Sequence, residues 1–347
     1  MPPAPAPAPD SSAVSAPAAT IGRTATRRLL TALVLLWLVL TITFLLVHLA
    51  PGDPAAFLVA PTASPMETAR LRTELGLDHS LAVQYARWLG ALLQGDLGES
   101  FALRRPVTSV LADAMPISLA LGGSALLLTF LAGVPVGILQ AARRGQRTDR
   151  ALTALATAIY AAPSYWLALA LVAVFTYGAA AWGLPAELRL PAFGVRTPGA
   201  EVHGVARLLD LGRHAVLPVS ILALVGAAGV ARYARTSVAD ILGQDWVRTA
   251  RAKGAGAGRV YLRHVLANIL PPMVVLFALS LPGVVAGSIF VESIFAWPGM
   301  GRVMVSAINA RDYPVVLGAT LLYAALVILA NLAADIALPL LDPRRGR

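Results

Sequence analysis

The chain has 347 residues, 57% of them hydrophobic and only 13% charged, with a mean hydropathy of +0.71. It lacks the polar surface that keeps a globular protein dispersed, so most of it must face lipid or other buried protein. The absence of cysteine excludes disulfide staples, thiolate metal sites and cysteine nucleophiles. A net charge of +10 does not imply nucleic acid as a partner, because the basic residues sit between apolar runs and not on a soluble reading domain.

Residues 1–28 open with alternating Pro and Ala and continue rich in Ala, Ser and Thr, a composition that predicts a disordered or polyproline-like cytoplasmic tail. The apolar run at 29–50 is too long for the core of a signal peptide. It is followed by Pro51-Gly52-Asp53-Pro54, which is not a small-residue cleavage site, so it reads as a retained first transmembrane helix. Residues 51–115 form an extracytoplasmic segment in which Leu71, Leu75, Leu81, Val83, Tyr85, Trp88 and Leu89 predict a small helical subdomain.

The remainder, 116–342, holds five more apolar stretches that reach across about 30 Å of hydrocarbon, at 117–139, 151–180, 215–231, 271–291 and 315–338. Pro135, Pro163, Pro218 and Pro282 fall within them and predict kinks in a packed bundle. Gly122, Gly123, Ala125, Gly133 and Gly137 predict a face where helices approach closely. The fold class is therefore all-α, a polytopic membrane protein of six transmembrane helices ending in a short cytoplasmic tail at 343–347.

Six spans place both termini on one side. The tail, the loop at 141–150, the loop at 232–270 and the C-terminal end carry 17 basic residues against 5 acidic, whereas the opposite segments carry 11 against 12. The excess of positive charge marks the first set as cytoplasmic.

Within the 232–270 loop, Asp245-Trp246-Val247-Arg248-Thr249-Ala250-Arg251-Ala252-Lys253-Gly254 predicts a short helix that Gly254 ends in the left-handed conformation, with cations in its last turn. This string resembles the "EAA" loop of binding-protein-dependent ABC importer permeases, in the form typical of dipeptide, oligopeptide and nickel permeases. The likeness runs from about Arg27 to Arg345. It includes Pro51-Gly52-Asp53-Pro54, Leu75-Gly76-Leu77-Asp78, Gly95-Asp96-Leu97-Gly98, Arg311-Asp312-Tyr313-Pro314, and a Glu-x-x-Phe-x-x-Pro-Gly-x-Gly element at Glu292, Phe295, Pro298, Gly299 and Gly301. The long outer segment resembles that of the first permease subunit of such systems. The pattern departs where Arg248-Thr249-Ala250 stands in place of Glu-Ala-Ala, where Ala255-Gly256-Ala257-Gly258 replaces a charged turn, and at Leu338, where the family often has tyrosine.

The resemblance implies a type I ABC importer permease fold in a bacterial inner (plasma) membrane. It implies a coupling helix of Arg248, Ala250, Arg251, Ala252, Lys253 and Gly254 docking on separate ATPase subunits, and a pathway or gate at Glu292, Phe295, Pro298 and Gly299. The implied partners are a homologous second permease, two ATP-binding subunits, an extracytoplasmic solute-binding protein, a di- or oligopeptide substrate and membrane lipid. Nickel or another solute is the alternative cargo, and a secondary transporter the alternative class.

The chain is not expected to be an enzyme or to bind a cofactor. A phosphate-binding loop needs Gly-Lys-Ser/Thr, and the only lysine, Lys253, precedes Gly254, so ATP and Mg are expected on the partner subunits. The five histidines show no metal spacing, and His264 reads as structural. Asp335 and Asn331, one turn apart, read as a buried polar pair linking helices, because a proton relay would need ionisable partners in other spans.

Overall fold

The computed structural model describes residues 17–59, 64–185, 188–199, 203–286 and 289–341. Helix α1 spans Pro17–Leu49. Residues 1–16 of the expected tail lie outside the described residues, as do 342–347, but from Pro17 onward the chain is helical. This corrects the reading of an unstructured segment reaching residue 28. Ala and Arg are good helix formers, proline suits a first turn, and the apolar helix downstream removes the cost of nucleation.

The outer segment is helical: α2 (Pro54–Leu58), α3 (Pro65–Glu74) and α4 (Leu81–Leu93). A capping box starts α3, where Ser64 Oγ accepts from the Glu67 N–H and the Glu67 carboxylate accepts from the Ser64 N–H. Helix α5 (Val107–Ala142) then crosses the bundle.

The single span expected at 151–180 is two helices, α6 (Arg147–Ala161) and α7, which starts at Ser164 and runs through a π-helical turn at Ala173–Gly178 to Ala181. Pro163 forces Ala162 out of the helical region, to ψ 138°. Proline thus breaks the segment here, whereas Pro135 and Pro218 stay inside α5 and the next helix.

That helix, α8 (Gly204–Leu242), far exceeds the apolar run at 215–231, because its polar ends remain helical beyond the apolar stretch. The short α9 (Asp245–Ala252) and the long α10 (Leu266–Ala286) follow, then α11 (Ile289–Ile294), α12 (Met300–Asn309) and α13 (Tyr313–Leu341). Among the described residues six stretches are long and apolar enough to cross a membrane: 30–49, 107–142, 164–181, 204–242, 257–281 and 313–333. Among the described residues there is no β-strand beyond one bridge between Glu99 and Pro106.

Helices α5 and α8 form the most extensively packed pair. A Cβ on Gly133 would lie 2.8 Å from Val230 Cβ, and one on Gly137 2.5 Å from the Ala231 carbonyl oxygen, so both glycines are required by close approach. Gly122 meets α10 in the same way, at the Val284 carbonyl, and Ala125 is buried. Gly123 departs from the expectation and meets nothing within 4 Å.

Candidate coupling surface and re-entrant element

Helix α9 is fixed to the bundle by one residue of its own, Val247, which is fully buried against Val238, Val260, Val265 and Ile269. Its far end is closed by a two-bond motif. The Gly254 N–H donates to the Arg251 carbonyl (2.9 Å) and the Ala255 N–H to the Ala250 carbonyl (3.1 Å), with Gly254 at φ +82°. Any other residue there would carry a left-handed backbone at about 1–2 kcal/mol. Ala255 then packs on the same apolar cluster as Val247.

Between these two anchors the helix is open. Arg248, Arg251, Ala252, Lys253 and Gly254 are exposed and Ala250 is half-buried. Arg251 and Lys253 have no ion-pair partner among the described residues, while Arg248 meets Asp245 at 3.3 Å in a pair too exposed to add much. Asp245 in the first turn and Arg251 in the last suit the helix dipole. His264 lies beside Trp246, with ring centroids 5.9 Å apart. The surface is a small cationic ridge held rigidly from behind.

A part-buried ion pair stiffens that support. Arg235, near the end of α8, donates from Nε and Nη2 to the two oxygens of Asp149 in the first turn of α6, at 2.8 and 2.9 Å, and the Gly145 N–H donates to the same carboxylate at 2.9 Å. The hydrogen bonds from Arg235, then that from Gly145, hold the Asp149 carboxyl down at about 2. Sequence reading missed this pair, whose members stand 86 positions apart.

The re-entrant element is built in the opposite way. Glu292 in α11 is fully buried; Ser118 Oγ of α5 donates to its Oε1 (2.6 Å) and the Arg302 N–H to its Oε2 (3.1 Å). Ser118 Oγ in turn accepts from the Met300 N–H at 2.8 Å. Glu292 and Ser118 therefore cap the first turn of α12, where orphan N–H groups and the helix dipole favour an acceptor. Gly299 is required by contact: a Cβ would lie 2.5 Å from both Glu292 Cδ and Ser118 Oγ. Phe295 and Trp297 are buried, and the Phe295 carbonyl accepts from the Gly194 N–H at 2.8 Å.

Of the four residues expected at a pathway or gate, Glu292, Phe295 and Gly299 lie in the interior of the chain, where they hold the turn, and only Pro298 is exposed. Ser118 is the residue that sequence reading missed, since nothing in an apolar helix marks one serine out. Asn331 is exposed on α13, which corrects the expectation of a buried pair, and the side chain of Asp335 lies outside those described.

Comparison with known proteins agrees with this architecture. Residues 133–347 match the model of the binding-protein-dependent transport system inner membrane component, and residues 22–122 match the N-terminal region of such membrane components. The chain is 34% identical over 319 residues to the oligopeptide transport system permease protein AppB of Bacillus subtilis, covering 92% of this chain and 97% of that one. It is also 34% identical to the dipeptide transport system permease protein DppB of Escherichia coli K12, over 87% of this chain and 92% of that one. A solved chain of the MetNI methionine ABC transporter, in inward facing conformations, matches with a TM-score of 0.50 and 18% identity. The match covers 68% of this chain and 97% of that chain, and it shows a shared fold. The chain therefore belongs to the family of inner membrane components of binding-protein-dependent transport systems.

Proposed function

We propose that this chain is one of two permease subunits of an ATP-driven importer of di- or oligopeptides. The observation that carries this reading is α9, an exposed cationic helix braced at both ends on a rigid apolar cluster. A helix so mounted transmits force to the spans behind it, and its exposed cations, with Ala252 and Gly254 leaving room beside them, suit insertion into a groove on another subunit. The cargo follows from relatives named for oligopeptide and dipeptide transport.

On this reading both termini and α9 are cytoplasmic, two ATP-binding subunits dock there with their ATP and Mg, and a solute-binding protein delivers peptide to the outer face. A homologous second permease completes the pathway, with the Pro298 turn contributing to it. Closure of the ATPases moves α9, and with it α8 and α10, between two arrangements of the bundle.

The topology is tested by single cysteines in this cysteine-free chain. One at Ser64 should react with an impermeant thiol reagent in intact cells, and one at Ala257 only after lysis. The reverse labelling would overturn the orientation. For the cargo, uptake of labelled dipeptide in cells carrying or lacking this subunit should differ, and equal uptake would count against a peptide importer.

A further inference from the structure

Helix α4 packs on the last turns of the first apolar helix. It lies along α1, with Tyr85 Oη 2.7 Å from Thr41 Oγ1 and the rings of Tyr85 and Trp88 centred 5.1 and 5.6 Å from that of Phe44. The apolar part of α1 ends at Leu49. With a rise of 1.5 Å per residue, Phe44 lies about 7.5 Å inside that end. This is the depth at which interfacial amphipathic helices rest, roughly 5–10 Å into the boundary of headgroups and acyl chains.

Between α1, α4, the α3–α4 turn and the start of α13 lies a cleft of about 370 Å³, within the range of small-molecule sites, about 300–1,000 Å³. Phe44, Trp88 and Tyr313 give it an aromatic wall, His48 and His79 line it, and Arg87 supplies a cation. His48 is stacked on Phe44 at 3.9 Å and its Nδ1 donates to the Phe44 carbonyl at 2.8 Å. Glu74, the acidic residue at the cleft, already meets Arg70 at 3.0 Å, whereas Arg87 has no ion pair among the described residues. The uncompensated charge at the cleft is therefore positive, and Leu45 and Leu49, the residues that follow Phe44 and His48 in α1, are exposed and apolar.

We propose that this cleft binds the headgroup of an anionic phospholipid from the leaflet at which α1 ends. Arg87 holds the phosphate through the paired N–H donors that match its oxygens. The aromatic wall packs on the glycerol and the first methylenes of the chains. Such a lipid fills the wedge between α4 and α1 and fixes the outer segment against the bundle.

The test is native mass spectrometry of the full-length chain released from nanodiscs of mixed phosphatidylglycerol and phosphatidylcholine. The wild type should retain phosphatidylglycerol preferentially. Arg87→Gln, at an exposed side chain, should keep its melting profile and lose that retention by about tenfold or more, the value of one charge-assisted contact. Arg207→Gln, exposed on the same side but away from the cleft, should retain lipid as the wild type does. Equal retention by wild type and Arg87→Gln, or no preference between the two lipids, would overturn the proposal. Displacement of the lipid by millimolar inorganic phosphate would identify a free-anion site instead, and displacement by dialanine a solute site; either result would also overturn it.

Discussion

The two motif-bearing regions of this chain spend their residues differently. At the re-entrant element both oxygens of Glu292 are committed to protein donors, Gly299 has no room for a methyl group, and Phe295 and Trp297 are sealed in the core. At α9 one valine and one left-handed glycine hold the helix while its cations stay in the open. A motif string thus marks a buried joint in one place and an exposed ridge in the other, and only burial and hydrogen bonding tell them apart. A joint should break when its atoms change; a contact surface should keep its fold and lose its partner.

The largest effect on stability should come from Glu292→Ala, which leaves the buried Ser118 hydroxyl and the part-buried Arg302 N–H without their acceptor. Loss of roughly 3 kcal/mol is expected, read as a lower melting temperature and reduced yield of the detergent-purified chain. An unchanged melting temperature would show that Glu292 is not a structural joint. Gly299→Ala comes next. Its methyl group would force Glu292 and Ser118 apart at a cost of about 1–3 kcal/mol, read in the same melts.

The support behind α9 is tested by acid. The Asp149 carboxyl titrates near 2 in the folded chain against an ordinary 3.8, so its pairing stabilises above the ordinary value and is lost as pH falls through the native one. Between about pH 4 and 2 the wild type should lose stability by this route. Asp149→Asn should be less stable at neutral pH and flatter across that window in a pH series of thermal melts. An identical acid profile for both would remove the ion pair from the account.

On α9 itself the effects on stability should be small. A Cβ on Gly254 would meet no atom within 4 Å, so the expected cost of Gly254→Val is chiefly backbone strain, about 1–2 kcal/mol at the helix end. Asp245→Asn removes one exposed pair and should shift stability by less than about 0.5 kcal/mol. A large loss in either variant would mean that α9 is a joint as well.

The sequence made α9 legible because its signals are local: an acidic start, cations in the last turn and a glycine stop within ten positions. The spans were legible from apolar length, but their ends were not, since α8 continues through charged residues that sit in water as helix. Pro163 breaks a segment where Pro135 and Pro218 do not, and the choice depends on neighbouring helices that no local pattern reveals. The role of Glu292 was out of reach for a similar reason, because its partner Ser118 lies 174 positions away.

The central claim is that α9 is the coupling element. Its most direct test is ATPase activity of the assembled complex in lipid, with and without loaded binding protein, for wild type and for Ala252→Trp and Gly254→Val. The account predicts variants that insert normally and melt close to the wild type, yet lose association with the ATPases or stimulation by the loaded binding protein, and take up little peptide. Normal stimulation and uptake in both variants would contradict it.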